Sequence, residues 1–377
     1  MPGGFQIYIQ GSPVAADFYD RMSLLEVEEN ADLPGAIQMR FPVARNAEGD
    51  LTMVNDQGFQ PLANLAVVAR SAEGRPQCIF DGYVLSQKLH LETGAASSFI
   101  EVYGQDATWM MNLEEKAQEW ANQSDGSVAN AIYQEHGITP GPDNLTDDSA
   151  VHSEDGHTLM QRATDIQFLR MLARRDGKWC RVVCDEMPGE RQGIFAKPDV
   201  GADPAMSLRP NGTEGANVSS LDFEWDVMRP SQVRARQAMF NDSAPEGASG
   251  GSSKSGLAAL DERDLATFAG QPMITMLTTP VDSGGELTQR SQALLREASW
   301  FARCTGESDQ ASLQAILRVG QVVRVETVGS VHSGKYLVWS VRHKLSQRSH
   351  TMRFTLVRNA VGPEPGGGGS GLLGGLI

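Results

Sequence analysis

The sequence is poor in cysteine, in positive charge and in long apolar runs. Its four cysteines stand at 78, 180, 184 and 304. None has C-x-x-C spacing: Cys180 and Cys184 are four apart on an expected strand, which is not the spacing of a zinc site. A disulfide-dense scaffold is excluded, and the expectation is free, buried thiols in a chain folded in a reducing cytoplasm. Lysine and arginine together number 32 against 47 acidic residues, a formal net charge of −15. Such a surface repels phosphate, so direct nucleic-acid binding is not expected. No run approaches 18 apolar residues, so no membrane-spanning helix is expected. The opening MPGGFQIYIQG has neither the basic start nor the apolar centre of a secretion signal.

Catalytic signatures are also missing. There is no G-x-S-x-G, no phosphate-binding P-loop and no H-E-x-x-H. Gly11-Ser12 and Gly251-Ser252-Ser253 lack the strand-to-helix context of a nucleophile elbow. His152 and His157 flank Glu154 and Asp155, but a five-residue gap matches no common zinc signature. Asp143, Asp147, Asp148 and Asp155 lack the glycine and final glutamate of an EF-hand. The segment Pro140 to Gly156 is therefore expected to be a solvated acidic loop. Carboxylates are plentiful, yet nothing singles out a pair for glycoside cleavage. No catalytic residue, cofactor or metal ligand is assigned.

What is present is a β-rich pattern in a chain of 377 residues, 40% hydrophobic and 21% charged, with 39 glycines. That length allows two to four packed modules. Residues 1–104 read as strands: Phe5 to Ile9, Ser23 to Glu29, Ala36 to Val43, Leu62 to Arg70, Gln77 to Leu91 and Ser98 to Gly104. Turns fall at Leu33-Pro34-Gly35, Glu73-Gly74 and Thr93-Gly94. Short strands at this spacing suggest a barrel or sandwich. Residues 105–215 read as a helical and α/β module. It has helices expected from Trp109 to Trp120 and around Val128, Ala131 and Ile132, and strands near Lys178 to Cys184 and Gly193 to Lys197. Residues 216–360 turn β again, with a mobile Gly/Ser-rich loop at 241–258 and a helix at 286–304 carrying Leu287, Leu294, Ala298 and Phe301 on one stripe. The six tryptophans are spread over the modules and read as core anchors.

The strongest local signal is Thr158 to Asp176, TLMQRATDIQFLRMLARRD. Thr164 and Gln167 have capping-box spacing, and Asp165 puts negative charge in the first turn. Arg174 and Arg175 close the last turn and Gly177 stands at the left-handed cap position. Phe168, Leu169, Leu172 and Ala173 form the buried stripe. Gln161, Asp165, Phe168-Leu169, Leu172-Ala173 and Gly177 together resemble the Q-x3-D-x2-FL-x2-LA-x3-G pattern of the phage late control protein D family. That family is the baseplate hub of contractile tails and includes the hub part of the VgrG spikes of type VI secretion. A second resemblance lies near the C-terminus. Gly320, Val323 and Val325 are similar to the family's G-x-x-V-x-V strand, and Gly334, Tyr336 and Val338 to its G-x-Y-x-V strand. Val341 and His343, then Phe354, Leu356 and Arg358-Asn359-Ala360, complete the closing hairpins. Phe99 to Asp106 is similar to the strand that ends the family's first barrel.

The resemblance implies a mainly β fold with α/β insertions: two related β-barrels joined by a helical and α/β module. It implies a homotrimeric ring whose six barrels match a six-fold tail tube on one face. The other face would seat a trimeric spike, with other baseplate proteins around it. The activity implied is structural, in a phage tail or an extracellular injection particle assembled in the bacterial cytoplasm. A tail-associated cell-wall hydrolase and a surface-binding adhesin are the alternatives. The segment 361–377, Gly-rich with an uncharged apolar tip at Leu372, Leu373, Leu376 and Ile377, is a candidate for docking on a separate spike chain.

Overall fold

A computed structural model describes residues 4–54, 56–93, 98–153, 158–211, 215–237, 248–281 and 283–363. The chain divides into two compact units. Unit 1 contains residues 1–198 and two later returns, 308–319 and 339–354; unit 2 contains 199–307, 320–338 and 355–377. The boundaries expected from the sequence fall at 104, 215 and 360.

Unit 1 begins with an antiparallel sheet. Its strands run Leu24–Asn30, Ala36–Pro42, Phe99–Asp106, Pro76–His90, Asn64–Arg70, Phe5–Ile9 in hydrogen-bonded order. Residues 340–344 add to it, pairing with Leu24–Asn30 so that His343 stands opposite Val27. Alternation explains the burial. Leu25 and Val27 point inward from one strand and Ile37, Met39 and Phe41 from the next, while their neighbours face out. The Pro34-Gly35 turn joins these two strands as expected. Register shifts between Val67 and Val68, and between Val84 and Ser86, mark bulges.

The rest of unit 1 packs two helices, Asp125–Glu135 and Asp165–Asp176, on small sheets. Leu159–Thr164 pairs antiparallel with Glu115–Trp120, and Trp179–Cys184 with Arg191–Ala196. Trp109 to Trp120, expected as a helix, is instead a 3-10 turn at Ala107–Asn112 followed by a strand. Its apolar spacing was misleading: in the strand only Trp120 is buried, and the pairing partner decides the conformation. The core joins Val128, Ile132 and Tyr133 to Phe168, Leu169, Leu172 and Phe195. Gly193 lets the Tyr133 ring lie directly on its strand; a Cβ there would sit 2.4 Å from a ring carbon.

In unit 2, Ser220–Trp225 pairs with the strand that begins at Ala302, and Val322–Val325 pairs with residues 334–337. A second sheet sets Gln232–Gln237 between Ala248–Ser252 and Ile274–Leu277. Ala248–Ser252 falls within the expected mobile loop and is a strand. Gly250 suits the close approach of the helix Gly284–Ala298: a Cβ there would be 3.3 Å from Leu287. Residues 241–247 of that expected loop lie outside the described residues. The helix stops at Ala298, short of the expected 304, because the strand Ala302–Asp309 begins there; Leu295 rather than Leu294 is buried. Trp120 and Trp300 are core residues, whereas Trp225 is 54% exposed beside Phe268 and is not the anchor expected of it.

Phe168 is 2% exposed and lies in the middle of the unit 1 core. Phe168→Ala should lower unfolding free energy by about 3–5 kcal/mol in denaturant titration. A loss under about 1 kcal/mol would place the ring at a surface.

Candidate functional site

The first resemblance motif is a polar junction where a strand becomes a helix. Thr164 ends the strand and caps the helix, its hydroxyl accepting from the Gln167 backbone N–H at 3.4 Å. Asp165 follows at the first helical position, buried, where the helix dipole favours its charge. Its carboxylate accepts from Lys116 Nζ and pairs with His136 Nε2, both at 2.8 Å, and accepts from Gln161 Nε2 at 2.7 Å. Gln161 Oε1 in turn accepts from the Trp120 indole at 3.0 Å. Burial works to raise the Asp165 carboxyl, but the hydrogen bonds from Lys116, His136 and Gln161 outweigh it and hold it below the usual range. Gly177 closes the helix at φ +61°. The polar groups of Gln161, Thr164 and Asp165 are each hydrogen-bonded within unit 1.

The second motif belongs largely to unit 2. Arg358 is fully buried and its guanidinium lies 4.7 Å from the Tyr336 ring. It donates to the Ser333 carbonyl at 3.2 Å and pairs with Asp261. Asn359 accepts from the Leu260 N–H at 2.9 Å and donates to the Ala258 carbonyl at 2.8 Å. Tyr336 donates to the His332 carbonyl at 2.8 Å. Gly334, at φ +134°, would carry a Cβ 2.7 Å from Asp261. Gly320 also has positive φ, at +94°. Val338 is core in unit 2 and Phe354 core in unit 1. Arg358 and Asn359 thus hold two loops, 331–333 and 258–261, to one strand end.

The acidic loop is solvated only in part: Asp143 and Asp147 are exposed as expected, while Asp148 and His152 are fastened to the body of unit 1. Asp148 accepts from the Ser124 hydroxyl at 2.6 Å and the Gly126 N–H at 2.8 Å. His152 is buried, 2.9 Å from Asp125, which also accepts from Arg175 Nε at 2.6 Å. Burial opposes the Asp125 charge, but these partners hold its carboxyl far below the ordinary range. Glu154, Asp155 and His157 lie outside the described residues, as do Leu372, Leu373, Leu376 and Ile377. No group of three or more metal-ligating side chains occurs among the described residues.

One cavity in unit 1, about 40 Å³, was not anticipated. Glu29, Asp81, Asp106, Arg170, Cys78, Cys184 and Arg318 line it. Glu29 stands on the inward face of its strand with Leu25 and Val27, and a carboxylate at core parity was the available sequence signal. Arg318 Nε donates to its two oxygens at 2.8 and 3.0 Å, and Nη2 donates to the carbonyls of Cys78 and Cys184 at 2.9 and 3.3 Å. His343 Nε2 lies 3.7 Å from Glu29, and His343 Nδ1 is 2.9 Å from His350 Nε2. Burial alone would raise the Glu29 carboxyl, but the charge and hydrogen bonds of Arg318 bring it down to about 2. Burial lowers His343 against the opposing pull of Glu29, and pushes His350 to about 3. Asp81 is taken by Arg191 at 2.8 and 3.1 Å. Asp106, which burial raises, accepts from Thr108 and Gly35. A cavity this small admits a few waters rather than a sugar ring, and its carboxylates are already engaged.

Residues 4–347 match the family model described as the Alg8 N-terminal domain. The chain belongs to that family. No curated protein matches this Alg8 N-terminal domain chain in sequence. Its fold is that of phage tail proteins. It resembles the 43 kDa tail protein of prophage MuSo2 from Shewanella oneidensis at a TM-score of 0.66 and 12% identity, over 95% of this chain and 99% of that one. A tail protein from Neisseria meningitidis gives the same score and identity, over 95% and 97%. An Escherichia coli component of the type VI secretion system, itself similar to bacteriophage T4 tail proteins, gives 0.54 at 13% identity, over 96% and 79%.

The Glu29 carboxyl is a stronger acid folded than unfolded. Its contribution is therefore complete above about pH 4.5, its ordinary value, and vanishes as pH falls through about 2. Urea titrations across that window should show a loss of roughly 3 kcal/mol attributable to this group. Glu29→Gln should be less stable at pH 7 but lose less between pH 4.5 and 2. An unchanged acid slope would show that the pair with Arg318 does not form.

Proposed function

We propose that this chain is a structural baseplate hub subunit of a contractile phage tail or a related injection particle. In this reading it forms a homotrimeric ring with two related barrels per chain. The ring joins a six-fold tail tube on one face to a spike on the other, with further baseplate proteins around it, and it does no chemistry of its own. The observation that carries the reading is fold correspondence over nearly the whole length of both this chain and two tail proteins. The type VI component with tail-protein similarity supports the same class of machine. Two further features favour it. Bulges at Val67/Val68 and Val84/Ser86 bend long strands, as barrel closure requires. Both resemblance motifs are consumed in fastening strand ends and helix starts, the work of a rigid ring rather than of a catalyst. A hydrolase would need free carboxylates, and Glu29 and Asp81 in the unit 1 cavity are already paired with Arg318 and Arg191.

Native mass spectrometry and class-averaged electron micrographs test this. Three chains of 40.8 kDa in a three-fold ring with an axial channel are expected. A chain that stays monomeric when mixed with its tail tube protein would overturn the reading. The apolar tip at Leu372, Leu373, Leu376 and Ile377 is part of the same proposal, as a spike-docking segment. Deleting residues 366–377 should weaken spike attachment in reconstituted particles, and unchanged attachment would remove that role.

A further inference from the structure

Cys78 and Cys184 come from strands more than a hundred residues apart in sequence, yet they meet in unit 1. The Cys78 N–H donates to the Asp185 carbonyl at 2.9 Å, so Cys78 stands beside the end of the Trp179–Cys184 strand. One Arg318 nitrogen, Nη2, donates to both cysteine carbonyls, at 2.9 and 3.3 Å. Both side chains pack in one small cluster with Ala66 and Val68, and both line the same cavity. The other two thiols are placed elsewhere. Cys180 lies 3.4 Å from the Tyr133 hydroxyl, and Cys304 is buried on a strand of unit 2.

We propose that Cys78 and Cys184 are a dithiol built to close into an intramolecular disulfide when the protein meets a small disulfide donor. The thiols' present contacts are weak ones, Cys78 Sγ to the Phe80 carbonyl at 3.3 Å and Cys184 Sγ to the Met187 carbonyl at 2.8 Å, and closure gives these up. Contact with the Cys184 thiol, followed by burial, pushes the Cys78 thiol well above its usual range, so the reduced pair stays protonated and unreactive at neutral pH. Reaction begins when local opening exposes one thiolate. That thiolate attacks the donor's disulfide, forms a mixed disulfide and releases one donor thiol. The second cysteine, deprotonated, then attacks the protein sulfur of the mixed disulfide and expels the second donor thiol. Overall, two cysteine thiols and one donor disulfide become one protein disulfide and two donor thiols. The protein is oxidised by two electrons and the donor reduced by two. The bridge would close a loop of about 100 residues, the length at which a cross-link restrains the unfolded chain strongly. It would fasten the Pro76–His90 strand to the Trp179–Cys184 strand, adding to the clamp that Arg318 already makes. This inference rests on the unit 1 geometry and not on the hub reading.

The test is to incubate the full-length protein with oxidised glutathione at mildly alkaline pH, then alkylate and map it. Reduced protein has four free thiols. The oxidised product should have two, contain a peptide pair joined through Cys78 and Cys184, and melt several degrees higher than the reduced protein. Cys180→Ser and Cys304→Ser should react as the natural protein does. Cys78→Ser should stop at a glutathione adduct on Cys184. The peptide map of the natural protein decides the matter even if a variant does not fold. Four thiols remaining after prolonged incubation, a stable glutathione adduct on both cysteines, or a bridge through Cys180 or between chains would overturn the proposal.

Discussion

A buried charge needs compensation, and in both units a segment distant in sequence supplies most of the counter-charges. Glu29 is met by Arg318, Asp81 by Arg191, Asp125 by Arg175, Asp165 by Lys116 and Arg358 by Asp261. Each pair joins parts of the chain far apart in sequence. Removing one member leaves the other desolvated without compensation, a loss of several kcal/mol. Such pairs add less net stability than apolar residues of similar size would. What they do is make one arrangement much better than its neighbours, because a strand shifted by one residue would bury its charge against nothing. The return of residues 308–319 to unit 1 has this physical basis: Arg318 arrives at Glu29 and at the carbonyls of Cys78 and Cys184 together.

The same chemistry accounts for residues that invite a functional reading. A histidine beside an aspartate, or three carboxylates around a cavity, is also what an active site or a metal centre looks like. Here His152 and Arg175 share Asp125, and Lys116, His136 and Gln161 share Asp165. The lowered carboxyls at Glu29, Asp81 and Asp165 arise from partners that outweigh burial. Their measurable consequence is acid sensitivity.

At 12% identity to the tail proteins it resembles, little of the chain is shared residue by residue. A fold can persist at that level because strand parity and core volume are met by many apolar residues. A buried polar junction is harder to replace: Gln161 must reach Trp120 and Asp165 at once, and Arg358 must reach carbonyls on a separate loop.

The local sequence determined much of the local structure. Thr164, Asp165 and Gly177 bound their helix because a capping hydroxyl, an early carboxylate and a glycine at φ +61° act within one turn. Leu25, Val27, Ile37, Met39 and Phe41 alternate because a strand presents every second residue to one face. Pro34 and Gly35 make the turn between them. Tertiary structure decided the rest. Trp109, Leu113, Ala117 and Trp120 have helical spacing, but residues 115–120 are a strand because Leu159–Thr164 offers them a ladder. Ala248–Ser252 carries the composition of a linker and is a strand because Gln232–Gln237 pairs with it and the 284–298 helix packs over Gly250. Asp148 and His152 read as surface charge until Lys178, Asp125 and Arg175 arrive from distant segments. Nothing near Glu29 in sequence announces Arg318. Spacing carries information only over the few residues that share a turn or a strand, and the partner of a buried charge is chosen by the fold.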